Sequence, residues 1–245
     1  MAIATVTIVP GTEILIGEGV NNPFRCVVRF PDQSIKAAVV KAMAPQAVAA
    51  EVFCACLLRG WGLSVPEPAI VTGPPMAFAS METGYPNLKQ RLGWTDRMPP
   101  LLQQRIVAQG ARIVAGLQDT PRALAADEAI DNRDRNLGNI LWDGATVSWI
   151  DHDRALGVVP AEDANRLAQF VIMGATDFAP IQRAAVAIAL MLGPQAVAEA
   201  EDECEGLAVS SFANLVAGRL GPLATRVLNR FPQPADLFNQ IPVPK

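Results

Sequence analysis

Asp134, Asn139 and Asp151 fall in one stretch, residues 130 to 153, IDNRDRNLGNILWDGATVSWIDHD, which gathers acids and amides around two short apolar runs. Asp134 and Asn139 stand five apart. Asn139 leads into Ile140, Leu141 and Trp142, and Asp151 follows Val147 to Ile150. Runs of this length and composition read as strands, with Asp143-Gly144 as the hairpin turn between them. Such a hairpin carries Asn139 at the start of one strand and Asp151 at the end of its partner, so the two side chains converge. A carboxylate and an amide oxygen suit Mg²⁺, which takes few protein ligands beside water and phosphate oxygens. Asp134 is then left to orient an acceptor hydroxyl, and together the three predict a phosphoryl-transfer centre. Asp131 and Asn136 are also five apart. Asn136 is followed by Leu-Gly, a poorer strand start than Ile-Leu-Trp, and is expected to hang in the loop away from Asp151, so the reading rests on Asp134. By itself, the spacing is also what a surface loop with Asx-turns would show.

The elements that must position these residues lie on both sides. Residues 3 to 9 and 12 to 16 are β-branched and apolar and end at Gly17-Glu18-Gly19-Val20-Asn21-Asn22-Pro23, which reads as strand, flexible loop, strand. Glycines at 17 and 19 would let backbone amides approach a triphosphate, although an ordinary hairpin turn has the same composition. Phe24 to Phe30 is extended, residues 31 to 34 turn, and Ile35 to Ala42 makes the next strand, with Lys41 near its end. An ammonium on so apolar a strand needs a charged partner or solvent. Glu51 is the candidate, in a helix over about residues 45 to 60 with Val48, Val52, Ala55 and Leu58 on its apolar side and Gly60 as its C-terminal cap. Lys36, in the same strand, reads as a half-exposed surface lysine. Further strands are expected in PEPAIVTG and over residues 76 to 81. Met81-Glu82-Thr83-Gly84 then breaks the pattern and is nominated as a hinge whose backbone, chiefly at Met81 and Glu82, meets adenine. Helices are expected over 101–117, 162–173, 180–192, 194–203, 208–219 and 222–230. The closing PQPADLFNQIPVPK reads as an extended tail.

The order Gly loop, Lys41, Glu51, Asp134, Asn139, Asp151 is that of a kinase. Composition agrees with an α+β chain of one compact unit or two closely joined lobes: 245 residues, 51% hydrophobic, 18% charged and net charge −4, without internal repeats. The acidic balance and the lack of a basic run argue against broad nucleic-acid binding and against anionic membrane surfaces. Cys26, Cys54, Cys56 and Cys204 with a single histidine, His152, offer no zinc-type spacing. Cys54 and Cys56 read as small buried thiols. MAIATVTIVPG lacks the features of a signal peptide and no apolar run reaches membrane-spanning length, so the expectation is a reducing cytoplasm.

The combination VVK, AAEVFCACLLRGWGLSVPEPAIV, DNRDRNLGNILW and WIDHD resembles the HipA-like branch of the protein-kinase-like fold, particularly its short, single-domain forms, over most of residues 12 to 157. Phosphatidylinositol kinases share an Asp-Arg followed by Asn in this loop, and aminoglycoside and choline kinases share Asp-x4-Asn then Ile-Asp. DNRDRN favours the HipA side. The resemblance implies a bilobal kinase with a small β-rich N-lobe over residues 1–82 and a helical C-lobe over 83–245. It implies Lys41 on the phosphates of ATP and held by Glu51, Gly17 and Gly19 covering them, Asn139 and Asp151 on magnesium, and Asp134 as catalytic base. Asn136 stands where relatives often carry histidine, and His152-Asp153 replaces the expected Phe-Gly. His152 is expected to be a packing residue and Asp153 to form a surface ion pair with Arg154. HipA toxins are considerably longer, and the expectation is a chain without their N-terminal interaction region. The function expected is γ-phosphoryl transfer to a hydroxyl, on protein Ser or Thr. A small-molecule or lipid kinase and a silent nucleotide-binding module are the alternatives. Neither the acceptor nor an oligomeric state is legible.

Overall fold

A computed structural model of the chain describes residues 2–16, 22–73 and 75–233. Gly17 and Gly19, and the tail from residue 234, lie outside the described residues. The first half builds one sheet from β1 (Ala4–Ile8), β2 (Ile14–Leu15), β3 (Phe24–Arg29), β4 (Ile35–Ala42), β5 (Pro68–Val71) and β6 (Ala77–Met81), in the order β1-β5-β6-β4-β3-β2. β1 runs parallel to β5 and also pairs antiparallel with β3, Thr7 opposite Arg29, so the sheet closes on itself. A closed ring this small admits only modest side chains at its centre. The alternation of each strand supplies them: Cys26, Val28, Ala38, Val40, Ala69, Ala77 and Ala79 are buried inside. That same alternation turns Val39 and Lys41 to the opposite face, where Lys41 stands in register with Phe78.

Helix α1 (Pro45–Gly60) follows, and it departs from the expected one-sided pattern. Every residue from Val48 to Leu58 is buried, because the helix is a central strut packed on all sides rather than a surface helix with one apolar stripe. Glu51 is the single charged side chain in that run and is 1% exposed. The apolar surface of α1 is continuous with the helical half of the chain, while the interior of the sheet forms a separate cluster.

The remaining elements are α2 (Leu88–Arg91), α3 (Pro100–Gly116), α4 (Thr120–Ala129), a 3-10 turn (Leu137–Asn139), β7 (Ile140–Trp142), β8 (Val147–Trp149), α5 (Arg166–Gly174), α6 (Ala179–Met191), α7 (Gln195–Glu203), α8 (Ser210–Leu220) and α9 (Leu223–Leu228). The helices from 162 onward match the expected segments to within a few residues. Two were not foreseen, α2 and α4. Helix α4 carries TPRALAADEA, whose buried face includes Asp127 and Glu128 beside Ala123 to Ala126. A helix that buries charges shows no apolar stripe, and hydrophobic periodicity is silent about it. Helices α3 and α5 approach so closely that a Cβ on Gly174 would lie 2.2 Å from the Ala111 carbonyl oxygen. All four cysteines are buried and free. Among the described residues no single helix is long and apolar enough to cross a membrane.

Candidate active site

A cavity of about 460 Å³ opens between the outer face of β4 and β6 and the loops around β7 and β8. Val39, Lys41, Phe78, Met81 and Glu82 line it from the sheet side. Asp134, Asn136, Asn139, Leu141, Ile150 and Asp151 line it from the other. The hairpin β7–β8 pairs Ile140 with Trp149 and Trp142 with Val147. Its loop is closed by the Asp143 carboxylate, which accepts from the amides of Ala145 and Thr146, both at 2.7 Å. Asn139 therefore enters β7 as Asp151 leaves β8, and the two reach the same cavity.

Lys41 is the centre of charge. Its Nζ lies 2.8 Å from Glu51 Oε1 and 2.5 Å from Asp151 Oδ1. Burial opposes its charge, yet the two carboxylates outweigh that penalty and hold its pKa well above the ordinary lysine range. Burial likewise raises Glu51, but Lys41 and the hydrogen bond from His152 overcome it and keep the carboxyl ionised far below its usual range. Asp151 adopts a left-handed backbone with φ 69°. Asp tolerates this region better than most residues, at a cost on the order of 1 kcal/mol. The turn is secured on the next residue, where the His152 amide donates to Glu51 Oε2 at 2.8 Å. One glutamate on α1 thus fixes both the lysine and the strand end that carries Asp151.

The loop before Asn139 is organised by Arg135, a fully buried guanidinium. Its Nε and Nη2 form a fork with the Asp127 carboxylate at 3.0 and 2.8 Å. Its Nη1 donates to the carbonyls of Asn139 and Ile150 at 3.1 and 2.7 Å, and its plane lies over the Trp149 ring at 5.5 Å. Nη2 also reaches His152 Nε2 at 3.1 Å. A guanidinium can only donate, so Nε2 carries the lone pair and the ring proton sits on Nδ1, 3.5 Å from Glu51 Oε2. His152 is fully buried, as expected of a packing residue, and it also links Arg135 to Glu51. Asp127 also accepts from Asn132 Nδ2 at 2.9 Å, and Asn132 Oδ1 accepts from the Asp134 amide at 3.1 Å. Arg135 and Asp127 escaped the sequence reading. Arg135 was visible within DNRDRN, but its burial depends on an acid carried by the unforeseen helix α4.

Asp134 and Asp131 are placed apart. Asp134 lines the cavity, and its Oδ2 lies 3.2 Å from Arg154 Nη1 at the surface. Asp131 lies outside the cavity lining and pairs with Arg133 at 2.5 Å and Arg219 at 2.9 Å. Asn136 does not hang away from Asp151 as expected. It lines the same cavity and caps the 3-10 turn, accepting from the Gly138 amide at 2.8 Å and donating to the Asp134 carbonyl at 3.1 Å. Asp153, expected at the surface, is buried and lines the cavity too. The amides of Met81 and Glu82 are used within the sheet, donating to Glu67 and Ala37 carbonyls at 2.9 Å each. The Glu82 carboxylate pairs with Arg25 at 2.8 Å.

Two oxygens that meet in this cavity could hold a cation. Asn139 Nδ2 donates to the Asp134 carbonyl at 3.2 Å, leaving its amide oxygen as the coordinating atom, and Asp151 retains Oδ2 while Oδ1 holds Lys41. One neutral and one anionic oxygen beside a phosphate site fit a magnesium ion that keeps several waters.

No protein-family model matches the chain, and no curated protein matches it by sequence. Solved structures do. The chain aligns with HipA of Shewanella oneidensis MR-1, from its toxin–antitoxin complex with HipB and operator DNA, at a TM-score of 0.53 and 16% identity. It aligns with the Helicobacter pylori proinflammatory kinase CtkA at a TM-score of 0.51 and 12% identity, over 91% of this chain and 95% of that one. The fold is that of the HipA-like kinases. With HipA the alignment covers 91% of this chain but 65% of HipA, so the chain spans about two thirds of HipA's length. The HipA-like fold accounts for the bilobal arrangement of a closed β-sheet and a helical half about the cavity.

Proposed function

We propose that this protein is an ATP- and Mg²⁺-dependent phosphotransferase that moves the γ-phosphoryl group to a hydroxyl, with protein Ser or Thr as acceptor. The observation that carries the reading is the position of Lys41, bonded to both Glu51 and Asp151 at the wall of a cavity that Asp134 and Asn139 share. In this reading the base lies between apolar surfaces of Val39, Phe78, Leu141 and Ile150. The hinge nominated at Met81 and Glu82 presents the Glu82 carbonyl and the Thr83 amide, since the Met81 and Glu82 amides are committed to the sheet. Lys41 neutralises phosphate charge, and Glu51 holds it there. Asn139 and Asp151 would hold a magnesium ion, whose charge would offset that of the triphosphate. Asp134 accepts the proton of the acceptor hydroxyl as the new O–P bond forms and the bond to the β-phosphate bridging oxygen breaks, releasing ADP. Catalysis on this plan is mainly positioning and charge neutralisation.

The decisive test is a magnesium titration of labelled-ATP turnover on the purified protein, with nucleotide binding followed in parallel and Asp151→Ala as the control. Magnesium-dependent transfer to protein that disappears in the variant is the expected result. Tight binding without turnover would favour a silent nucleotide-binding module, and no binding at all would refute the proposal.

A further inference from the structure

The chain after Asp151 lines the site as far as Arg154, packs Ala155 and Leu156 into the core of the helical half, and reaches α5 through Asp163, Ala164 and Asn165. That last stretch is held by arginines from three places. Arg133, directly before Asp134, reaches Asp163 Oδ1 at 2.8 Å and the Ala164 carbonyl at 3.0 Å. Arg230, just beyond α9, bonds the same carboxylate and donates to the Asp163 carbonyl at 2.8 Å, and Arg226 of α9 stands 3.5 Å away. Arg133 and Arg230 are themselves aimed by the buried Glu128. At the other end of the segment, the Leu156 amide donates to the Ile130 carbonyl at 2.8 Å and Arg154 meets Asp134. Residues 152 to 165, HDRALGVVPAEDAN, include no Ser, Thr or Tyr. Loops of this kind are commonly ordered when a phosphorylated side chain is captured by arginines. Here a carboxylate already occupies the arginines, and no hydroxyl is present to be modified.

We propose that Asp163 is a positioning residue for transfer: a built-in carboxylate latch that fixes segment 154–165 against the Asp134 loop through Arg133, making the site independent of phosphorylation of that segment. This rests on the phosphotransferase reading for its consequence, but not for the latch itself. Arg133 keeps Glu128, Asp131 and the Ala164 carbonyl when Asp163 is changed, and the Asp163 side chain is largely exposed, so Asp163→Asn leaves the fold in place.

The test compares wild type, Asp163→Asn and Asp163→Glu by hydrogen–deuterium exchange and by transfer of labelled phosphate to the protein itself and to dephosphorylated casein. In Asp163→Asn, amides of residues 155–164 should exchange about tenfold faster, while α1 and α3 are unchanged. Transfer should fall about tenfold with the KM for ATP unaltered, and Asp163→Glu should recover most of both effects. Unchanged exchange would overturn the latch whether or not transfer is seen, and faster exchange with full activity would overturn its role in positioning. A wild type that transfers nothing is a failure of the phosphotransferase reading, and the exchange data still decide whether Asp163 holds the segment.

Discussion

Asp134 and Asp131 are three residues apart and differ in what they touch. Asp134 faces the cavity and its carboxylate meets Arg154 at the surface, whereas Asp131 is spent on Arg133 and Arg219. A group within reach of an acceptor contributes as a base, and one committed to an ion pair outside the cavity does not. Asp134→Ala is therefore expected to slow transfer by about 10² to 10⁴ while sparing ATP binding. Asp131→Ala should leave transfer within about threefold and lower stability by about 1 to 2 kcal/mol, since alanine would have to hold the left-handed backbone that Asp131 adopts and two arginines lose a partner. Turnover and nucleotide affinity measured on both variants check this, and a reversal of the two would move the assignment to the other register. The sequence carried this choice a good distance, because Ile140-Leu141-Trp142 is the better strand and Asn139 must begin it. It misplaced Asn136, whose side chain caps the turn before that strand and so stays in the cavity.

Elements are joined here by single buried polar side chains. Arg135 ties α4, the entry to β7 and the exit from β8 through Asp127, the Asn139 carbonyl and the Ile150 carbonyl. Lysine cannot reproduce a fork that serves a carboxylate and two carbonyls at once. Arg135→Lys should cost about 3 kcal/mol in denaturant unfolding, in line with breaking a buried pair, and should raise the magnesium concentration needed for half-maximal turnover. An unaltered magnesium requirement would confine Arg135 to a structural role. The packing of α3 on α5 depends on Gly174 in a different way. An added methyl would press on the Ala111 carbonyl, which is backbone and cannot rotate aside. Gly174→Ala is expected to lose about 1 to 3 kcal/mol, read as a lower midpoint with unchanged kinetics per folded molecule.

At the scale of the whole molecule, Glu128 binds α4 to the Asp134 loop, α8 and the α9 region through Arg133, Arg219, Arg226 and Arg230. Burial raises its pKa, but hydrogen bonds and charge from Arg230 and Arg133 outweigh burial and bring it from 4.5 down to about 2. A carboxyl depressed in the folded state stabilises fully above its unfolded value and loses that contribution as pH falls through its folded value. About 3 kcal/mol should therefore disappear between roughly pH 4.5 and pH 2. Urea unfolding at pH 6 and pH 3 captures about 2 kcal/mol of it, and Glu128→Gln should be less stable at pH 6 with a flatter acid dependence. An equal acid dependence in both proteins would remove Glu128 as the cause. The sequence by itself determined the elements with clear periodicity and placed Lys41, Glu51, Asn139 and Asp151 on them, because a strand or helix face and a hairpin turn are set by neighbours a few residues away. Tertiary structure decided the closure of the sheet, the all-round burial of α1, the existence of α4 as a charged buried helix, and the link from Glu51 to His152 across 101 residues. Burial of a charge depends on the partner that meets it, and that partner comes from a distant part of the chain.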